Sequence, residues 1–243
     1  MELVYETKSD KTWIRVYEEP GGVRYLRLGK GTEIHSTYDP KQVLIEVLEE
    51  SYWNYFCILP HLTEVKEVLL LGVAAGTVAR QYQEYYPDVH IDGVEIDGDI
   101  VRVAKEYMGL NVDNLMVHEA DGIEFLENCD KKYDIVILDA FKGGNLNTEF
   151  LTIKVFENIK RCLRHNGLFV TNYFEQLSVP YLVKRATSKV FEHMVRIPIP
   201  GTYNYIVVAS DMEVDMKKPA REIKEPQLRR IARYVAENFV VDR

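Results

Sequence analysis

Cysteine is scarce in this chain of 243 residues, and the little present has no pattern. Cys57, Cys129 and Cys162 are odd in number and form no C-x-x-C pair. That argues against a disulfide framework and a zinc knuckle, and points to a reducing, cytoplasmic setting. Long apolar runs are also missing, since none approaches the roughly 20 residues of a membrane span. The opening MELVYETKSDK mixes acids and lysines among its apolar residues, so neither a secretory signal nor a membrane partner is expected. Positive charge is in deficit: 30 Lys and Arg face 38 Asp and Glu, a net charge of −8. A phosphate-tracking protein is normally basic, so no nucleic-acid partner is expected. An acidic surface suits a cationic small substrate, and equally suits plain solubility. His35, His61, His90, His118, His165 and His193 are scattered without an H-E-x-x-H spacing, so no metal is expected. There is no G-x-S-x-G elbow for a serine hydrolase. No G-K-[ST] follows the chain's one glycine loop, which excludes a P-loop NTPase.

What is present is concentrated between Glu67 and Asp97, which read EVLLLGVAAGTVARQYQEYYPDVHIDGVEID. Val68 to Leu71 form a continuous apolar run, the mark of a parallel strand buried on both faces. Gly72-Val73-Ala74-Ala75-Gly76 lets the backbone turn tightly and approach a ligand with no Cβ between. Glu95 follows Gly76 by 19 residues, close to the spacing that sets a carboxylate on a ribose diol in nucleotide-binding folds. A nucleoside site is the first expectation.

The first third of the chain is strand-like. Leu3 to Tyr5, Trp13 to Tyr17 and Val23 to Leu28 alternate, with Pro20-Gly21-Gly22 turning between two of them, and a fourth run covers Thr32 to Ser36. Asp39-Pro40 opens an expected helix carrying Val43, Leu44, Val47 and Leu48 on one face. From residue 67 strands alternate with helices. Strands are expected at Val68–Leu71, Ile91–Glu95, Leu115–Val117, Ile135–Leu138 and Leu168–Asn172, with helices starting near Thr77, Gly98, Gly122, Thr148 and Ser178. This implies a Rossmann-like, doubly wound parallel sheet. Met194–Ile197 and Tyr205–Ala209 leave no room for a helix between them and must pair antiparallel. The expected fold is therefore α/β of the methyltransferase type, with a terminal antiparallel hairpin, preceded by a small antiparallel β unit. Residues 1–58 read as that unit with its connecting helix, and 59–243 as the nucleoside-binding domain. Residues 217–224 read as a linker before a last amphipathic helix on Leu228, Ile231, Ala232, Val235 and Phe239.

Ligands of open α/β sheets bind at the carboxyl ends of the strands. Gly72 to Gly76, with the helix start behind them, offer N–H groups to a ligand. Glu95 can accept from ribose hydroxyls, and Asp121 beside Gly122 from an adenine amino group. Asp139 ends the strand Tyr133–Leu138 at the pocket mouth. Each has a plainer reading: a tight turn, a helix cap at Asp121, a cap at Asp97, a loop residue at Asp139. Most tyrosines, Tyr82, Tyr85 and Tyr86 among them, read as packing residues.

With these strand ends in order, the chain resembles the spermidine synthase family of polyamine aminopropyltransferases from about Arg24 to Ala209. The matching phrases are Arg24-Tyr25-Leu26-Arg27-Leu28 with Gly31 and Ser36, Leu71-Gly72, and Val94-Glu95-Ile96-Asp97. Asp121-Gly122-Ile123-Glu124-Phe125, Tyr133 to Asp139 and Thr148-Glu149-Phe150-Leu151 follow. The resemblance implies decarboxylated S-adenosylmethionine as co-substrate, held by Gly72, Ala74, Gly76, Glu95, Ile96, Asp121 and Gly122, and a small-molecule amine as acceptor. It makes Glu95 the ribose ligand, Asp121 the adenine contact and Asp139 the catalytic base. An alkylamine of pKa near 10 costs roughly 4–5 kcal/mol to neutralise at pH 7, a barrier that a carboxylate taking the proton lowers. His35, Lys142, Tyr173 and Tyr203 are the expected acceptor-side residues; the two tyrosines could equally pack in the core. The loop from Ala140 to Asn147 could act as a lid.

Four departures mark the amine side. The family's GGGDGG loop has Ala75 where the acid contacts the aminopropyl amine. The D-S-x-D-P segment has Lys142 in place of its second acid, a cation that would repel a diamine. His35 stands for a glutamine, and the Tyr-Gln pair before the sheet aligns with Val43-Leu44. Two alternatives therefore stay open: a methyltransferase using S-adenosylmethionine itself, and a non-catalytic nucleoside-binding relative. Family likeness also implies self-association, as a homodimer or higher homo-oligomer.

Overall fold

A computed structural model of the chain describes residues 1–44, 51–142, 145–175 and 178–242, the side chains of Lys142 and Asn145 excepted. The N-terminal strands β1 (Glu2–Lys8), β2 (Trp13–Glu18), β3 (Arg24–Leu28) and β4 (Ser36–Tyr38) form an antiparallel sheet in chain order. Ile14, Val16 and Leu26 are its inward, fully buried side chains, as the alternation requires. The fourth strand starts at Ser36, where the expected run ended. Residues 41–44 are bends and not the expected helix; Val47 and Leu48 lie outside the described residues.

After the short helix α1 (Trp53–Phe56) and a 3-10 turn (Leu59–His61), strands and helices alternate. They are β5 (Glu67–Leu71), α2 (Thr77–Tyr85), β6 (His90–Glu95), α3 (Gly98–Tyr107), β7 (Leu115–Glu119), α4 (Gly122–Glu127) and β8 (Tyr133–Leu138). The small hairpin β9 (Phe141–Lys142) and β10 (Asn145–Leu146) follows, then a 3-10 turn (Thr148–Phe150) and α5 (Ile153–Cys162). β11 (Leu163–Phe174), α6 (Val179–Val190), β12 (His193–Pro198), β13 (Asn204–Ser210), α7 (Lys218–Glu222), α8 (Pro226–Asn238) and β14 (Val240–Asp242) complete the chain.

Eight strands join one sheet in the order β14-β12-β13-β11-β8-β5-β6-β7. β7, β6, β5, β8 and β11 run parallel, and β13, β12 and β14 add antiparallel pairings. This is the expected doubly wound sheet ending in an antiparallel hairpin. Each central strand buries both faces. On β5, Val68 and Leu70 face the layer holding α2, α3 and α8; Leu69 and Leu71 face α4, α5 and α6. The stretch read as a linker contains α7, because Pro219 lies in its first turn, where a missing N–H is harmless. The helix expected near Thr148 is an α-helix only from Ile153, where Thr152 caps it by accepting from Val155 N at 3.2 Å. β14 went unforeseen: two valines after a helix give too short a period to read, and pairing with β12 makes the strand.

Candidate active site

The strand order reverses between β5 and β8, and the carboxyl ends around that point open a cavity of about 680 Å³. Both the position and the size are those of a small-ligand site. The N-terminal sheet supplies the facing wall. Ser36 Oγ accepts from Ala75 N at 3.0 Å, Thr37 and Thr77 exchange hydrogen bonds, and Ser9 Oγ donates to Asp97. Arg80 is buried and donates to the carbonyls of Ala75, Met108 and Thr37, so one guanidinium ties the loop after β5 to that wall. Burial lowers its pKa to about 10.

Gly72 has φ +95°, and a Cβ there would stand 2.6 Å from the Asp139 carbonyl oxygen. Only glycine lets the two loops approach so closely. Ala74 also has positive φ, +47°, and its N–H reaches Glu95 Oε2 at 3.0 Å. Gly76 does not line the cavity; it turns the chain at φ +74° into α2, with Leu110 where a Cβ would be.

Glu95 is buried. Its Oε1 accepts from Ile96 N at 3.0 Å and Asp97 N at 3.4 Å. Burial raises its pKa, and the N–H groups of Ala74, Asp97 and Ile96 pull it back. Oε2 keeps an acceptor site beyond the Ala74 bond. Ile96 is 48% exposed and lines the cavity, an apolar face beside a carboxylate. Asp121 fulfils the plainer reading: its Oδ1 caps α4, accepting from Ile123 N at 2.7 Å and Glu124 N at 3.2 Å. Its Oδ2 makes no hydrogen bond among the described residues, and the residue lines the cavity with Gly122. Asp97 caps α3 by accepting from Asp99 N.

Asp139 stands at the far end. Tyr52 Oη donates to its Oδ2 at 3.1 Å, and Oδ1 is sealed from solvent with no hydrogen-bond partner among the described residues. Burial raises its pKa from 3.8 to about 7, against the nearby donors of Tyr52, Asn172 and Trp53, which lower it. A carboxyl poised near neutrality at the wall of a cavity can exchange a proton with a bound group.

His35 lines the same cavity from the N-terminal wall, and burial lowers its pKa so that it is neutral at pH 7. Lys142 lies in β9, its side chain outside what the structure describes. Tyr173 and Tyr203 are not brought to the cavity. Successive strand residues face opposite sides: Phe174 lines the cavity, while Tyr173 is 2% exposed and stacks on Tyr205. Tyr203 is 74% exposed in the turn before β13. Val43 and Leu44 are absent as well; Leu44 is core, and the Val43 carbonyl accepts from Gln81. Tyr52 and Trp53 occupy the cavity instead. The sequence signal for them was the aromatic pair just ahead of Leu59-Pro60, which an uncertain register concealed. Asn172, Arg80, Phe141 and Phe174 had no signal beyond strand and helix pattern.

A family profile described as the spermine/spermidine synthase domain matches residues 50–218. Polyamine aminopropyltransferase 2 of Hyperthermus butylicus is 30% identical over 204 residues, covering 76% of this chain and 66% of the relative. The chain spans between 27% and 66% of the length of the first curated relatives it matches. A probable spermidine synthase from Corynebacterium glutamicum superposes with a TM-score of 0.77 at 19% identity, over 96% of this chain and 94% of that one. A spermidine synthase in complex with the transition-state analogue AdoDATO superposes at 0.69 with 18% identity, over 95% and 79%. Among the described residues no helix is long and apolar enough to cross a membrane.

Proposed function

Because the chain belongs to the spermine/spermidine synthase family, we propose that it transfers an aminopropyl group from decarboxylated S-adenosylmethionine to a small amine, with Asp139 as base. The observation that carries this reading is Asp139 itself: a carboxyl lining the cavity at the strand end, positioned by Tyr52 at its Oδ2. The Asp139 carboxylate receives the acceptor's ammonium and takes its proton as nitrogen attacks the carbon beside the sulfonium. The carbon–sulfur bond breaks, its electron pair passes to sulfur, and methylthioadenosine leaves. With its pKa at about 7, Asp139 is matched to proton transfer near neutrality.

The nucleoside end fits the same donor. Glu95 Oε2 accepts from a ribose hydroxyl, Ile96 packs on the adenine face, and Asp121 Oδ2 accepts from the adenine amino group. Gly72 and Ala74 admit the ligand close to backbone. In the AdoDATO complex, a spermidine synthase of the same fold holds a transition-state analogue, which supports the assignment. The test is release of methylthioadenosine from the donor across a panel of amines. None with any amine would overturn the reading.

A second reading has its own observation. Ala75 removes the acid of the loop, and Lys11 and Lys30 line the cavity without an ion pair among the described residues. These features suit a donor that keeps its carboxylate, hence methyl transfer from S-adenosylmethionine. Calorimetry separates the two: tighter S-adenosylhomocysteine than methylthioadenosine favours methyl transfer, and the reverse favours aminopropyl transfer.

A further inference from the structure

The acceptor end of the cavity is aromatic where the pattern of the resembled family carries acids. β11 runs parallel to β8 with Thr171 opposite Leu138, so the next residues along, Asn172 and Asp139, stand side by side. Two residues further, Phe174 meets Phe141 edge-to-face, ring centroids 6.0 Å apart. Across from them, Tyr52 and Trp53 lie 4.6 Å apart. All four rings line the cavity that contains Asp139. Asp139 is thus the carboxyl at an end of the cavity walled largely by aromatic faces.

Three of the five other carboxylates lining the cavity serve elsewhere. Glu95 and Asp97 are held by backbone N–H groups and Ser9, and Asp121 caps α4. Glu149 belongs to the turn whose Phe150 packs on Gly122, and Glu33 sits on an exposed loop beside Lys30. Ala75, at the position of the family's loop acid, is fully buried. A long diamine carries a second ammonium that must either stay in water or lose it among rings. An amine with an apolar body leaves no such charge to desolvate. Its body gains the face-and-edge contacts that aromatic walls offer.

We propose that the preferred acceptor is a primary monoamine with an aromatic or bulky apolar body, its nitrogen on Asp139 and its body between Phe141, Phe174 and Trp53. This rests on the alkyl-transfer reading above and names its substrate class. The step is the same displacement: the new bond joins the monoamine nitrogen to the donor's methylene carbon. The ammonium proton goes to Asp139 and the electron pair to sulfur.

The experiment compares phenethylamine with butane-1,4-diamine in methylthioadenosine release. In parallel, phenethylamine binding is followed by quenching of Trp53 fluorescence in a Trp13→Phe background. Phenethylamine is expected to have the higher kcat/KM by about 10-fold. Phe174→Leu should lower its kcat/KM about 5-fold, the scale of one aromatic contact, and lower that of the diamine by clearly less. Trp53→Gln should narrow the gap between the two amines. Diamine preference in the parent, with Phe174→Leu affecting both amines alike, would overturn the proposal and leave aminopropyl transfer standing. That result would point to Glu149 or Glu33 as the second anchor. Saturable phenethylamine binding with no turnover of either amine would sink the transfer reading while supporting the pocket. Neither binding nor turnover would sink both.

Discussion

Replacing Asp139 by asparagine should abolish activity and yet make the protein more stable, by an amount that depends on pH. In the folded chain burial raises the Asp139 pKa from 3.8 to about 7. A carboxyl whose pKa is raised binds its proton more tightly folded than unfolded. Its contribution is therefore most favourable below about pH 4 and is lost progressively as pH rises to about 7. Beyond that the full cost of a buried charge remains. At about 1.36 kcal/mol per pH unit the ceiling is about 4 kcal/mol. Between about pH 5 and about pH 8.5 the cost to the parent grows by about 2–3 kcal/mol. Asparagine carries no charge and still accepts from Tyr52, but brings an amide N–H₂ into a tight site, a penalty of about 1 kcal/mol. Asp139→Asn is thus expected near parity with the parent at about pH 5 and clearly more stable at about pH 8.5. Urea unfolding at both values, followed by far-UV dichroism, reads this directly. Turnover should fall by about 10²–10⁴-fold, the scale of general-base catalysis. A stability difference that does not change with pH would refute the burial of this charge.

Three further outcomes follow from the same geometry. Tyr52→Phe removes a donor that lowers the Asp139 pKa, so the acidic limb of the pH–rate profile should move up by about 0.5–1 pH unit; an unmoved limb would detach Tyr52 from the base. Glu95→Gln should weaken methylthioadenosine about 10-fold or more in calorimetry, the worth of a hydrogen bond to a charged acceptor, with kcat at saturation little altered. Gly72→Ala places a Cβ 2.6 Å from the Asp139 carbonyl at φ +95°; it should cost about 1–3 kcal/mol in thermal unfolding and abolish nucleoside binding, and a variant that binds normally would contradict the close approach.

The sheet was legible because its strands are continuous apolar runs and its helices have clean periodicity. Asp121 and Asp97 were readable as caps because an acid before a helix has a local role. The acceptor side was not readable, for a geometrical reason. Tyr52, Trp53, Asn172 and Phe174 come together with Asp139 only after β11 is laid beside β8 and Tyr52, just ahead of α1, reaches the end of β8, and no spacing in the chain encodes that meeting. Tyr173 was the natural choice by type, but strand alternation turns it to the opposite face and gives the site to Phe174. Arg80 looked like one more helix cation. Only burial and three carbonyl acceptors reveal it as the tie between loop and wall.

Ala75 joins the two halves of this reading. An acid at that position would attract a donor's terminal ammonium and repel a donor carboxylate. At about 4 Å and an effective dielectric of about 20 such a term reaches about 4 kcal/mol, enough for a selectivity of about 10³. Here the side chain is a buried methyl, and its backbone N–H is committed to Ser36 Oγ at 3.0 Å. The loop has closed against the N-terminal wall, so an acid could return only by burying its charge there. Under the proposed transfer, selectivity between the decarboxylated donor and S-adenosylmethionine is expected to fall to weaker terms, the exposed Lys11 and Lys30 and the neutral His35. A chain built this way should discriminate less between donors than relatives that keep the acid, and should draw its specificity from the aromatic acceptor chamber beside Asp139.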